Sequence, residues 1–427
     1  MGTAATDIPT IVDHLFRHEY GKLVSVLTRV FGSRNIDFAE DVVQDTLLDA
    51  INQWKYKGIP SNPAAWLYKA AKYKALNIIN REEYKRRYSK EQLHALQLEW
   101  TVDTHLEHFL SEAEILDDQV RMMFTCCHPA ISPDSQIALI LKTLCGFGIP
   151  EIAKAFITNE ENINKRLVRA RKNIREAKIV FDIPAGKELE QRLAAVLEAI
   201  YLLFNEGYCA SHGEFFIRYE LCEEAIRIAG IISSHPGITE KGNVRALLSL
   251  MLLNASRFKS RQSDDGMIIR LEEQDRSLWD KDMIRRGISF LYKALGGSGI
   301  SKYHILGTIS AHHCTAMSVQ TTDWENILLL YDNLLEIDAS AIVLLNRAVV
   351  ISKVFTVEKA IDELERIGND PLIENYQYYY STLAEFYLQQ QRLHEAEKYF
   401  IRAIGLTAVP SEKEILQKKL AFCHSAI

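Results

Sequence analysis

The apolar residues of this 427-residue chain recur at three- and four-residue spacing, and no alternating run of useful length interrupts them. That spacing collects them on one stripe of an α-helix, whereas a half-buried strand requires strict alternation. The chain is therefore expected to be all-α. It exceeds the roughly 100–200 residues of one ordinary domain, so two to four helical domains are expected.

A hydrophobic share of 48% with 25% charged residues is the composition of a soluble protein with ample core. No run of eighteen apolar residues occurs, and Met1 to Pro9 has neither a basic start nor an apolar stretch. Neither a membrane-spanning nor a secreted protein is expected. The seven cysteines, scattered from Cys126 to Cys423, are an odd number. They fit reduced, buried thiols in a cytoplasmic protein better than a disulfide framework.

Two breaks divide the chain. Tyr88 to Ser111 is polar and irregular, and Phe181-Asp182-Ile183-Pro184-Ala185-Gly186 interrupts a long basic helix. The expected parts are a helical domain at 1–90, a linker at 91–111, a second domain at 112–180 and a large one at 184–427. The last part carries weak repeats from about residue 305. Ala396, Phe400 and Ala403 have the spacing of a tetratricopeptide second helix, and Tyr380, Leu383, Ala384 and Tyr387 fit its first helix. Ala360, Leu364 and Ile367, then Ile327, Tyr331 and Leu334, echo the pattern upstream. A stack of hairpins follows, since each buries its apolar face only against its neighbours.

Net charge is −6, but it is unevenly spread. Residues 1–180 carry 24 basic and 23 acidic side chains, and residues 181–427 carry 26 and 33. Lys69 to Lys90 holds eight basic residues against Glu82 and Glu83; Lys165 to Lys178 holds seven against Glu176. Two such blocks suit two contacts with a phosphate backbone, although a solvated helix face accounts for any one of them.

The second block reads as a helix-turn-helix. A short helix begins at Ile149-Pro150, a break at Ile157-Thr158-Asn159 follows, and Asn159 can cap the next helix. That helix, Glu160 to about Ile179, puts Ile163, Leu167, Ala170 and Ile174 on a buried stripe. Asn164, Lys165, Val168, Arg169, Lys172 and Arg175 lie opposite. Ala153 and Ile163 allow the close crossing that lets a second helix enter a major groove. Arg and Lys suit guanine and Asn suits adenine, while later cations hold phosphates. Ile157 stands where such a turn usually has glycine.

Upstream, Ala39 to Ala50 is an amphipathic helix with Asp41, Gln44, Asp45 and Asp49 three and four apart. Ser61-Asn62-Pro63 then opens a helix in which Trp66, Tyr73 and Tyr84 interleave with Lys and Arg as far as Arg81, Arg86 and Arg87. Single-stranded DNA asks for that mixture: charges along the phosphates and flat faces on which unpaired bases stack.

This order of motifs resembles the extracytoplasmic-function group of bacterial RNA polymerase sigma factors. Ala-Glu-Asp-x-x-Gln-Asp-Thr is similar to their region 2.2, and Pro-x-x-Trp-Leu-Tyr-x-x-Ala to the helix that melts the −10 element. The helix-turn-helix ending Arg166-Leu167-Val168-Arg169-Ala170-Arg171 is similar to their region 4. Leu202-Leu203-Phe204-Asn205-Glu206-Gly207-Tyr208 and Leu271 to Asp280 resemble the helical, tetratricopeptide-like extension of one subgroup.

The resemblance implies two small helical DNA-binding domains, core polymerase (its β′ coiled coil and β flap) and promoter DNA as partners, no cofactor or metal, and no catalysis. It implies that Asp41, Gln44 and Asp45 grip core. The −10 set is then Trp54, Tyr73, Asn77, Asn80, Arg81, Arg86 and Arg87, with the loop Trp54 to Asn62 receiving a flipped base. The −35 set is Asn164, Lys165, Val168, Arg169 and Lys172. Tyr73 stands where the group commonly has Asn, and Asn77 where it often has Asp. The extension would regulate or stabilise the factor, or offer a concave platform to a protein or peptide.

Other chemistry has weaker support. Cys126-Cys127-His128 and His312-His313-Cys314 lack a second pair at ligand spacing, so buried thiols are expected. Asn205-Glu206-Gly207, Asp264-Asp265-Gly266, Asp275 and Asp280 supply carboxylates but no nucleophile elbow or phosphate loop, and read as turns, caps or a polar network. The remaining alternatives are an autonomous helix-turn-helix regulator with a helical-repeat sensing domain, which needs no acidic Asp41–Asp45 face, and a repeat scaffold, which needs neither basic block.

Overall fold

A computed structural model of the chain describes residues 8–79, 112–156, 158–208, 217–263, 269–297, 299–371, 373–407 and 409–426. Among these residues every regular element is helical. They fall into two compact units: residues 1–200 with 235–237, and residues 201–234 with 238–427. The division lies inside one helix rather than at the 181–186 break.

In the first unit, α1 (Ile8–Phe31), α2 (Ile36–Lys57) and α3 (Pro63–Ile79) form one group. Tyr20, Leu23, Val24, Leu27 and Phe31 make the buried stripe of α1, and Ile36, Ala39, Val43, Ala50 and Trp54 that of α2. Gly58, at φ +78°, ends α2, and the Asn62 side chain accepts a hydrogen bond from the Ala65 amide in the first turn of α3. The second group is α4 (Glu112–Cys126), α5 (Pro133–Thr143), α6 (Ile149–Ala155) and α7 (Glu160–Glu176).

The two groups pack directly, α1 against α4 and α5. A Cβ on Gly21 would come within 2.0 Å of the Leu144 carbonyl oxygen, so only glycine permits that approach. Asp118 is buried between Arg29 at 3.2 Å and Arg121 at 3.0 Å. Burial pushes its carboxyl up to about 7 against the pull of both arginines. The helix α8 (Lys187–Tyr208) gives its first half to this unit, where Leu189, Leu193, Val196 and Leu197 are buried and Arg192 donates to the Phe124 carbonyl.

The second unit is centred on α10 (Gly242–Ala255), which follows α9 (Tyr219–Ser234). Ten of its residues are buried, as expected for a helix apolar on every side. It packs against α9, α12 (Lys281–Ala294) and α13 (Lys302–Thr315), with the one-turn α11 (Phe258–Arg261) between α10 and α12.

Beyond lie α14 (Trp324–Leu335), α15 (Ala341–Val354), α16 (Val357–Ile367), α17 (Gln377–Gln389), α18 (Leu393–Leu406) and α19 (Pro410–Ala426). Each packs on the next, as in a solenoid. Ala396, Phe400, Ala403, Ala360, Leu364, Ile327 and Leu334, all positions of the sequence repeat, are buried in one core.

The carboxylates singled out in the extension serve this architecture. Asp275 accepts from the Ser277 amide, and Asp280 caps α12 through the Asp282 and Met283 amides. Arg276 donates to the carbonyls of His313 and Ala316 at the end of α13, and the Trp279 indole donates to Ser260. Glu206 is buried beside Arg218, and Gly207 is pressed against Leu221 and Cys222. The network and cap reading of these residues holds. Asp264, Asp265 and Gly266 lie outside the described residues.

Candidate nucleic-acid interface

The helix-turn-helix is built as the spacing predicts. Asn159 adopts an extended conformation and its side chain accepts from the Asn162 amide at 2.8 Å, capping α7. Ile163, Leu167, Ala170 and Ile174 form the buried stripe, and Ile152 and Ala153 of α6 are buried too. Packing and capping account for the inner face, leaving Asn164, Lys165, Val168, Arg169 and Lys172 all exposed on α7. Lys165 reaches Glu161 at 2.6 Å and Lys172 reaches Glu176 at 3.6 Å. Both are exposed i,i+4 pairs that contribute a few tenths of a kcal/mol and yield easily to a phosphate or base.

Arg171 and Arg175, from the same basic block, do something else. Arg171 Nε lies 2.7 Å from Asp37 and its Nη2 2.5 Å from Glu40, while Arg175 lies 2.9 Å from Asp37. Ser33 donates to the Ile179 carbonyl in the same contact. The sequence reading placed Arg175 on the outer face with the DNA readers, but its partner is a carboxylate of α2. Nothing in local periodicity signals this, because the partners are 131 and 138 residues apart.

On α2, Asp41, Gln44 and Asp45 are exposed side by side. Partial burial, with Asp37 and Asp45 nearby, raises the Asp41 carboxyl above its usual range, and Arg171 pulls it down. Lys74 of α3 lies 2.7 Å from Asp49 and 3.9 Å from Asp45, tying the basic helix to the acidic one.

Around the loop, two residues differ from expectation. The helix α2 runs to Lys57, so the turn is Gly58 to Asn62 rather than starting at Trp54. Trp54 itself is 4% exposed, packed edge-on against Trp66 at 5.4 Å and against Phe16 at 5.9 Å. Its ring has no open face for a base in this form, because it fills the core beneath the turn. The sequence reading missed Tyr56, which is 84% exposed; Tyr73, at 56%, and Asn77 are exposed on α3. Asn80, Arg81, Arg86 and Arg87, with the 91–111 linker, lie outside the described residues.

Cys126 and Cys127 are buried at the end of α4, and burial pushes the Cys126 thiol up to about 12. Among the described residues no group of three or more His, Cys, Asp or Glu side chains could hold a metal ion. No helix among them is long and apolar enough to cross a membrane.

Comparison with known proteins agrees with this geometry. Residues 15–84 match Sigma-70 region 2, residues 121–174 match Sigma-70 region 4, and residues 192–295 match a family of unknown function, DUF6596. An uncharacterized protein of Rhizobium meliloti (strain 1021) is 34% identical over 398 residues, covering 93% of this chain and 92% of its own length. No solved structure matches. Sigma factors are transcription factors rather than enzymes, and their two DNA-binding regions imply core RNA polymerase and promoter DNA as partners. With α1–α3 in region 2, α4–α7 in region 4 and a match running into the helical extension, the chain belongs to the extracytoplasmic-function group of RNA polymerase sigma factors that carry a long C-terminal extension.

Proposed function

We propose that this sigma factor works in the cytoplasm, directing core polymerase to promoters through three separate faces. Asp41, Gln44 and Asp45 grip the β′ coiled coil. Tyr73, Asn77, Asn80, Arg81, Arg86 and Arg87 hold the melted −10 strand, with Tyr56 a further stacking face at the turn and Trp54 shaping that turn from beneath. Asn164, Lys165, Val168, Arg169 and Lys172 read the −35 element, with region 4 seated on the β flap. The observation that carries this reading is what packing leaves over: α7 is capped and buried on one side, and its outer face keeps the residue types that read base edges.

We assign 1–90 to region 2, 91–111 to the linker, 112–180 to region 4 and 184–427 to the extension. The first half of α8, buried among the helices of the first unit, supports a stabilising role for residues 187–200. The repeat hairpins that follow are assigned to regulation by a protein or peptide partner.

Reversing charge at Asp41 and Asp45 tests the core assignment. The variant should keep its helical circular dichroism and fail to co-purify with core enzyme; undiminished association would remove the assignment. Truncation after Ile183 should lower the melting temperature of the remaining fragment, whereas truncation after Tyr208 should not. Equal melting of the two fragments would remove the stabilising role.

A further inference from the structure

The two stretches of the extension that promoter recognition leaves unused meet at one arginine. Tyr208 closes α8, and its hydroxyl accepts from Arg257 Nη2 at 2.5 Å. Asn254 of α10 accepts from the same nitrogen at 3.0 Å. Arg276 and Trp279 arrive from the stretch Leu271 to Asp280. The Trp279 indole is buried, with the Arg276 guanidinium carbon 4.8 Å from its ring centre and that of Arg257 at 6.0 Å. Stacking on an indole face stabilises a cation without neutralising it.

This cluster lacks a counter-charge. Elsewhere in the extension Arg218, Arg227 and Arg347 reach the carboxylates of Glu206, Glu224 and Asp332. Among the described residues, Arg257 donates only to the Tyr208 hydroxyl and the Asn254 amide oxygen, and Arg276 only to the carbonyls of His313 and Ala316. All four acceptors are neutral. Arg257 Nε is buried and meets no acceptor, and His313 Nδ1 is buried without a partner. Burial, with Arg257, Arg276 and His312 nearby, lowers His313 to about 3, so its ring is neutral and adds no further charge. Burial also holds the Arg276 guanidinium below its usual value, and Arg257 adds to the effect.

Two cations drawn partly out of water without a counter-ion carry a desolvation penalty that an anion relieves. Each guanidinium has spent the donors of one terminal nitrogen, which leaves its other N–H groups for a ligand. Two positive charges suit a phosphate monoester, with about −1.5 to −2 at pH 7, better than the single charge of a carboxylate. We propose that Arg257 and Arg276, beside Trp279 and His313, form a binding site in the extension for a small phosphate-bearing molecule. Its phosphate takes the guanidinium donors that the protein leaves over. Tyr208, Arg257, Arg276 and Trp279 all fall within residues 192–295, the part that matches the family of unknown function. Occupancy would tie together the end of α8, the turn after α10 and the end of α13.

The test is isothermal titration calorimetry of the full-length chain with inorganic phosphate at fixed ionic strength. Saturable binding is expected, with sulfate, another tetrahedral dianion, comparable and acetate at least about tenfold weaker. Arg257→Gln and Arg276→Gln should each weaken phosphate binding by about tenfold or more, the loss of a charge-assisted hydrogen bond. Arg285→Gln removes an equal charge from the exposed face of α12 and should change nothing. Hydrogen exchange on the parent chain locates the site without any substitution. Phosphate should slow exchange in residues 254–261 and 269–280, and not in α7. No saturable binding by the parent chain would overturn the proposal. So would binding that survives both arginine substitutions, or protection confined to α7. Equal affinity for acetate would overturn the phosphate class.

Discussion

Two helices of this molecule, α7 and α18, are built alike and finish differently. Each has an apolar stripe at three- and four-residue spacing, with Ile163, Leu167, Ala170 and Ile174 in one and Ala396, Phe400 and Ala403 in the other. On α18 several further side chains meet neighbours, while Ile401 stays exposed. Tyr399 stacks on Tyr387 at 5.5 Å, Glu397 meets His424 at 2.9 Å and Arg402 lies over Tyr380. On α7 Lys165 and Lys172 pair within the helix, with Glu161 and Glu176, and Asn164, Val168 and Arg169 beside them are exposed. A repeat helix turns side chains beyond its stripe to its neighbours, and a recognition helix keeps its polar face for a partner.

The largest effect that sharpens this contrast belongs to α18. Phe400 is fully buried in the repeat core, so Phe400→Ala should cost about 3–5 kcal/mol of stability in the extension. Chemical denaturation of the full chain would show it as an earlier transition. A loss under about 1 kcal/mol would mean the repeat core collapses around the gap.

On α7 the expected loss is in binding. Lys165→Ala or Arg169→Ala should each remove about 1–3 kcal/mol of affinity for a promoter with an intact −35 element. Stability should move by less than about 0.5 kcal/mol, as at other exposed positions. If affinity falls equally on all sequences and only the salt slope declines, the side chain touches phosphate and is no reader.

The smallest expected effect tests the buried contact between the two DNA-binding regions. The Asp118 carboxyl is raised in the folded state, so the folded chain holds its proton over a window from about pH 4 to about 7 in which the unfolded chain does not. This group's contribution to stability therefore falls as pH rises through that window. Asp118→Asn escapes that loss. Its melting temperature should gain about 2–4 °C on the parent between pH 5 and pH 8. A shift in the parent's favour would show that pairing with Arg29 and Arg121 outweighs burial.

Much of the fold was legible because helices announce themselves locally. The stripe of α7, the Asn159 cap, the Pro63 start and the repeat positions from Ile327 to Ala403 all follow from spacing within a few residues. What spacing could not show is which neighbour an outward side chain meets. Arg171 and Arg175 look like further DNA contacts along α7, yet they pair with Asp37 and Glu40. Trp54 looks like an aromatic at a loop, but one further turn of α2 puts it under the loop instead. The extension illustrates the converse. Its dense motif from Leu271 to Asp280 reads in the sequence as caps or a polar network, and the structure spends it on two helix caps and the anchoring of α13.

Promoter recognition by this chain is expected to depend on core polymerase. The direct measurement is a footprint on duplex DNA selected from a random pool by the reconstituted holoenzyme, repeated with the full-length chain alone. Two protected blocks, at the −35 and −10 elements, are expected with core present. Without core, only weak, salt-sensitive and sequence-independent binding is expected. An equally strong and sequence-specific footprint from the chain alone would contradict it, and would mark an autonomous helix-turn-helix regulator.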